Sequence, residues 1–319
     1  MIFLKFYKNN QGVNIMLNII LLFVGFVSLI KGADVFVESS SSIAKKFKIP
    51  SIIIGMTIVA MGTSAPELSV SINSALSGMA DLSIANVVGS NIFNILVAIG
   101  ISSLVRKLKI ANYQDVIVLL AVSSLLVILS MNCSLGLLDG LVLLCVFTLY
   151  IISMIRKAKE NKVEEDIEEK QKPMWKTIIL GLLGLAAIIV GGDVVVDSAS
   201  NIAAQFGMSQ NLIGLTIVAV GTSLPEFVTS VIATKKGEVD IAVGNILGSN
   251  IFNILLILGT ASVICPMNVS PITYLDMLFM LVVTLIFAVS TFKNKVVTRA
   301  LGIPMILIYI AYITITIIR

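Results

Sequence analysis

The chain has 319 residues, is 57% hydrophobic and only 13% charged, and has a mean hydropathy of +1.05; a soluble domain carries roughly 25% charged residues, so a soluble fold is excluded. Apolar runs near the length of a spanning helix recur throughout, and the ten-residue alternation of a membrane barrel is absent. The net charge of +4 comes from basic residues flanking these runs, which excludes a nucleic-acid patch, and the lack of any histidine excludes HExxH zinc sites, histidine triads and histidine proton relays.

In chain order, residues 1–16 read as a short leader, with Met16 as a second candidate start. The apolar run after Met16 lacks a small-residue cleavage site, so it is expected to remain as a first helix. Hydropathy and turn signals predict spans at 17–44, 51–77, 83–105, 113–131, 135–157, 175–204, 210–236, 242–264, 271–291 and 296–318. The fold class is therefore an all-α polytopic membrane protein with ten transmembrane helices. Its domains are a first five-helix repeat at 17–157, a linker at 158–174 and a second five-helix repeat at 175–319. The mixed-charge stretch RKAKENKVEEDIEEKQKP (156–173) reads as a solvated linker. Cys133, Cys145 and Cys265 form no CxxC and read as small apolar residues; Cys133 and Cys265 fall on one side, which leaves a disulfide open as an alternative that nothing in the sequence supports.

The two halves repeat. Residues 55–100 align without a gap on 214–259, at an offset of 159, with 23 of 46 positions identical. An odd number of spans per copy forces the second copy to enter the membrane upside down, which gives an inverted repeat. Of the 22 Lys and Arg, 18 lie in the connections 1–2, 3–4, 5–6, 7–8 and 9–10. The positive-inside rule then puts these connections, including 158–174, in the cytoplasm and both termini outside, in the plasma (inner) membrane of a prokaryote.

Polar motifs fall at the midpoints of four spans: GTSAPE (62–67) and GTSLPE (221–226), GSNIFN (89–94) and GSNIFN (248–253). Pro66 and Pro225 cannot donate to Gly62 and Gly221, and carbonyls freed at this depth are tolerated only where protein, water or an ion satisfies them. A single membrane proline is usually just a kink. Two at matched depth, each before a glutamate, are read as broken helices. Thr63, Glu67 and Ser71 share one helix face, as do Asn86, Ser90 and Asn94; Thr222, Glu226 and Ser230, and Asn245, Ser249 and Asn253, repeat the arrangement. Oxygen ligands without sulfur or imidazole suit hard cations such as Ca²⁺. Helix packing explains the hydroxyls equally well. It explains Glu67 and Glu226 poorly, because a carboxylate at mid-membrane costs about 2.5–3.5 kcal/mol or more. Gly89 and Gly248 allow close backbone approach, and Asn91 and Asn250 are expected to hydrogen-bond between helices. Asp34, Glu38, Asp193 and Asp197 either guide cations or are paired residues, with Lys31 near Asp34. Asp81 and Asp240 read as helix N-caps.

These duplicated motifs resemble the α-repeats of the calcium/cation antiporter superfamily, closest to the prokaryotic sodium/calcium exchangers and their potassium-dependent relatives. GADVFVES (32–39) and GGDVVVDS (191–198) also match, so the resemblance covers both copies. It implies an ion-binding core of spans 2, 3, 7 and 8, with spans 1 and 6 sliding across it. It also implies cation ligands from Thr63, Ser64, Glu67, Ser90, Asn94, Thr222, Ser223, Glu226, Ser249 and Asn253, with the carbonyls of Ala60 and Ala219 adding to Na⁺ sites. The transported ions would be Na⁺ and Ca²⁺, with no cofactor. Many relatives carry Asp where this chain has Asn253, which leaves two acidic residues in the site and argues against K⁺ co-transport.

Two glutamates give the site a charge near −2, which one Ca²⁺ or several Na⁺ neutralise. Exposing the empty, ionised pair to a closed low-dielectric state is costly, so the halves should change sides only when loaded. The expected activity is Ca²⁺ efflux driven by Na⁺ influx. A proton-coupled antiporter and a cation channel are the alternatives. No nucleophile–base pair suggests an enzyme.

Overall fold

The computed structural model describes residues 15–77, 80–160, 173–208, 217 and 219–318. It is all-helical. Helix α1 is Ile15–Phe47. A broken pair follows: α2 (Ser51–Thr63) and α3 (Ala65–Leu76), whose axes turn by 48°. Helix α4 begins as Ala80–Phe93 and runs through a π-helical Asn94–Ile99 into Gly100–Val105. Then come α5 (Tyr113–Leu129), α6 (Leu137–Glu160) and α7 (Met174–Gln205). The short α8 (Ala219–Gly221) and α9 (Leu224–Lys236) lead into α10, which begins as Val239–Phe252 and runs through a π-helical Asn253–Leu258 into Gly259–Ile264. Helices α11 (Pro271–Phe292) and α12 (Arg299–Ile318) complete the chain. Among the described residues, eight helices are long and apolar enough to cross a membrane, and α2 with α3 makes a ninth if counted as one span. The first part of the span expected at 210–236, residues 1–14 of the leader, and most of the linker lie outside the described residues; Ile15 and Met16, expected in the leader, belong to α1.

In lipid, helices gain nothing from hiding apolar surface from apolar tails. Close van der Waals packing through small residues holds them together instead. Helices α1 and α7 show this. A Cβ on Gly32 would stand 2.7 Å from the Gly184 carbonyl oxygen, and one on Gly191 2.8 Å from the Leu29 nitrogen. Gly25 faces Gly191 while Gly32 faces Gly184, so the two helices run antiparallel. Ser28 donates to the Ala187 carbonyl at 2.9 Å at the centre of the crossing.

Burial rises toward the middle of the molecule. The most apolar stretch of α10 is 94% buried and that of α4 72%, against 11% for α12, so α4 and α10 form the centre and α12 the lipid-facing rim. Phe252 of α10 packs edge-on against Phe147 and Tyr150, and Phe93 of α4 packs edge-on against Phe227 and Tyr309. Phe93 and Phe252 are related by the sequence offset, as are Tyr150 and Tyr309. Four two-residue strands close the ends: β1 (Leu108–Lys109) pairs antiparallel with β4 (Val296–Val297), and β2 (Ser134–Leu135) with β3 (Met267–Asn268).

Several expectations change. The β2–β3 register puts Ser134 opposite Asn268 and Leu135 opposite Met267, which displaces Cys133 from Cys265; all three cysteines are free. Asp34 pairs with Lys236 of α9 at 2.8 Å rather than with Lys31, because the end of α9 lies against α1. Glu38 is 3.7 Å from the same ammonium. Asp240 is not an N-cap: Glu238 holds that position and Asp240 sits in the first turn of α10. The Asp81 side chain lies outside the described residues.

Candidate ion-binding site

The site is built at the two helix breaks. Helix α2 stops at Thr63, and Ser64 adopts φ −82°, ψ 8° before α3 begins at Ala65. Ser223 repeats this with φ −89°, ψ 3° before α9. Pro66 and Pro225 each fall in the first turn of the new half-helix, where a missing N–H goes unnoticed. The S-x-x-E pattern of both motifs reads locally as a capping box. Neither serine caps its own helix, however. Ser64 Oγ instead donates to Glu226 Oε1 at 2.7 Å, and Ser223 Oγ to Glu67 Oε1 at 3.2 Å. Each copy thus supports the carboxylate of the other.

The same exchange recurs around the pair. Thr63 Oγ1 donates to Asn245 Oδ1 at 3.0 Å, and Thr222 Oγ1 to Asn86 Oδ1 at 3.3 Å. The Asn245 amide donates to Ser230 Oγ at 2.9 Å, and the Asn86 amide to Ser71 Oγ at 3.2 Å. Ser90 lies beside the Glu67 carboxylate, and Thr63 and Ser249 beside that of Glu226. The two carboxylates are close enough to interact as charges. Ser249 Oγ approaches the Ala60 carbonyl at 3.5 Å, on an oxygen that also accepts the Ser64 N–H at 3.0 Å.

Of the twelve residues expected here, Ala60, Thr63, Ser64, Glu67, Ser90, Asn94, Ser223, Glu226, Ser249 and Asn253 are buried together, and Thr222 is half-buried. Ala219 lies in α8, but its side chain lies outside the described residues. Gly248 performs its expected packing role: a Cβ there would stand 2.7 Å from the Met56 carbonyl oxygen and 2.8 Å from the Ala60 Cβ. The side chains that the offset would place against Gly89 lie outside the described residues. Asn91 and Asn250 hydrogen-bond between α4 and α10, as expected. Asn86 and Asn245 lie on the polar stripes yet were not counted among the ligands; they are the brackets on which Thr222 and Thr63 hang.

Five buried oxygens of the site residues have no hydrogen-bond partner among the described residues: the Ser90 hydroxyl, and the four oxygens Glu67 Oε2, Glu226 Oε2, Asn94 Oδ1 and Asn253 Oδ1. These last four form two pairs related by the offset of 159. With the two glutamates ionised, all four only accept. Leaving such atoms buried and unpaired is costly, and a cation is the ligand that suits them together. The donor set is oxygen throughout, which fits Na⁺ and Ca²⁺ rather than a soft transition metal. Among the described residues no cluster of three or more His, Cys, Asp or Glu exists, so the two glutamates carry the charge of the site.

The family model described as "Sodium/calcium exchanger protein" matches residues 17–156 and 176–318. The chain is 30% identical, over an alignment of 346 positions including gaps, to the sodium/calcium exchanger MaX1 of Methanosarcina acetivorans, covering 94% of this chain and 99% of that one. It is 37% identical over 290 residues to the inner membrane protein YrbG of Escherichia coli (strain K12), covering 86% and 89%. A solved structure of the sodium-calcium exchanger NCX_Mj, soaked with 10 mM Na⁺ and 10 mM Sr²⁺, superposes with a TM-score of 0.85 at 28% identity, covering 94% of this chain and 99% of that one. With matched halves, a shared fold and a buried oxygen site at the helix breaks, this multi-pass membrane protein belongs to the sodium/calcium exchanger family.

Proposed function

We propose that the chain exchanges Na⁺ for Ca²⁺ across the membrane by alternating access, moving Ca²⁺ outward as Na⁺ enters. The observation that carries this reading is the crossed pair at its centre. Glu67 and Glu226 are both fully buried, each is held on one oxygen by the serine of the opposite copy, and each keeps its second oxygen free. Ligands for the ions come from Thr63, Ser64, Glu67, Ser90 and Asn94, from Thr222, Ser223, Glu226, Ser249 and Asn253, and from the carbonyls of Ala60 and Ala219. The pair has a charge near −2 when ionised. A bound Ca²⁺ cancels it, whereas the empty pair resists enclosure in a low-dielectric state. Movement between the two sides is therefore coupled to loading, which makes exchange obligatory.

The architecture behind this is ten spans in two inverted five-helix copies, one at 17–157 and one from 175 onward. Two observations support it. Helices α1 and α7, the first of each copy, run antiparallel. The strand pairing supports the count: β1 follows the third span of the first copy and pairs with β4, which precedes the last span of the second. Paired strands share a side, so an even number of crossings separates them. That holds only if α8 and α9 count together as one crossing. Basic residues then place 158–174 in the cytoplasm and both termini outside.

The test is ⁴⁵Ca²⁺ uptake by vesicles loaded with Na⁺ and diluted into Na⁺-free medium. Uptake that follows the Na⁺ gradient supports exchange. Uptake driven by a pH gradient alone, with Na⁺ absent, would replace Na⁺ by protons, and flux with neither gradient would make the chain a channel.

A further inference from the structure

Asn91 and Asn250 form a clasp between α4 and α10. The Asn91 amide donates to the Asn250 carbonyl at 3.1 Å, and the Asn250 amide to the Asn91 carbonyl at 3.3 Å. A backbone carbonyl only accepts, so each of these side chains must turn its NH₂ toward the opposite backbone. Its Oδ1 is then fixed on the other side, and a further amide donates to it. Asn253 Nδ2 meets Asn91 Oδ1 at 3.0 Å, and Asn94 Nδ2 meets Asn250 Oδ1 at 3.0 Å. The orientation of Asn253 and Asn94 follows in turn. Their NH₂ groups are committed to the clasp, and their Oδ1 atoms are the ones left without a partner. All four amides are at most 1% exposed, so no bulk water can stand in for a lost bond. Asn94 lies one helical turn beyond Ser90, beside Glu67, and Asn253 one turn beyond Ser249, beside Glu226.

We propose that Asn91 and Asn250 are positioning residues for cation binding, holding the amide oxygens of Asn253 and Asn94, rather than their NH₂ groups, toward the ions. The inference rests on the reading of this pocket as the cation site. A carboxamide free to rotate offers either end, and its NH₂ end repels a cation. The clasp removes that choice. It also works across the copies: Asn91 sets Asn253, and Asn250 sets Asn94. Movement of α4 against α10 would therefore disturb both amides at once.

The cross-copy pattern gives a test that general loosening of the helix crossing would not reproduce. Equilibrium ⁴⁵Ca²⁺ binding is measured on the purified full-length protein, with apparent KM for Ca²⁺ read in vesicles. Asn91→Leu, close to isosteric, is expected to weaken Ca²⁺ binding about tenfold, the scale of one buried hydrogen bond. In an Asn253→Ala background the same change should cost less than about twofold, because the amide it orients is gone. In an Asn94→Ala background it should cost the full factor. Asn250→Leu should show the mirror pattern, silent with Asn94→Ala and fully costly with Asn253→Ala. Equal losses in both backgrounds, or no loss in the single variants, overturn the proposal. If Asn91→Leu is not recovered folded, Asn91→Ala and the Asn250 arm decide. Wild-type protein that binds Ca²⁺ but does not couple its flux to Na⁺ defeats the exchange reading while leaving this binding cycle interpretable.

Discussion

Ser64 Oγ donates to Glu226 Oε1 at 2.7 Å, joining residues 162 positions apart in the sequence. Its counterpart Ser223 returns the bond to Glu67 at 3.2 Å. The serine of each broken helix is thus withdrawn from capping its own half-helix and given to the carboxylate of the other copy. A hydrogen bond to a charged, buried acceptor contributes about 1.5–3 kcal/mol. Ser64→Ala should therefore raise the apparent KM for Ca²⁺ by about tenfold or more, and Ser64→Thr, which keeps the hydroxyl, should restore most of it. Vesicle uptake against Ca²⁺ concentration reads both. Ser223→Ala should behave alike, more mildly if its longer bond is the weaker one.

Much of this site could be read from the residues alone. Glu67 and Glu226 stood out because carboxylates are expensive at mid-membrane, and the offset of 159 named the partner of every motif residue. Which side chain bonds to which could not be read. Ser64 and Glu67 satisfy a local capping-box pattern, and only the meeting of the two copies shows that Ser64 belongs to Glu226. The π-helical turns at Gly55–Val59, Asn94–Ile99 and Asn253–Leu258 were equally hidden, because one extra residue per turn leaves no trace in apolar periodicity. The two-residue strands were too short to carry an alternating pattern. Lys236 could not be matched to Asp34 from sequence, since the contact spans 202 positions. Lys31 was the partner that local spacing suggested.

Gly248 sets how closely α10 approaches α2. A Cβ there would stand 2.7 Å from both the Met56 Cα and its carbonyl oxygen. These are backbone atoms, which cannot swing aside. Gly248→Ala should destabilise the protein by about 1–3 kcal/mol, the usual cost of overpacking. It should also slow exchange, because Ala60, the next contact, presents its carbonyl at the site. Thermal unfolding in detergent, measured beside the initial uptake rate, checks both effects.

Asp115 and Lys157 make a 3.0 Å ion pair between α5 and α6, with the carboxylate only 4% exposed and the ammonium 25%. Removing one partner of a buried pair strands the other charge and costs about 3–5 kcal/mol. Partial exposure of Lys157 should bring the cost of Lys157→Met to the lower end of that range. Asp115→Asn added to Lys157→Met should recover much of the loss, since no charge is then left unpaired. A double-mutant cycle of unfolding midpoints gives the result, and a double variant less stable than Lys157→Met would refute this account.

The central claim is that Glu67 and Glu226 jointly hold the transported cations. Its most direct test is Na⁺-gradient-driven ⁴⁵Ca²⁺ uptake in proteoliposomes, comparing wild type with Glu67→Gln and Glu226→Gln at matched amounts of folded protein. Both substitutions keep the side-chain shape and remove one charge from the buried pair. Each is predicted to reduce uptake about 100-fold or more, in line with the cost of breaking a buried charge interaction. Uptake within about twofold of wild type in either variant would contradict it.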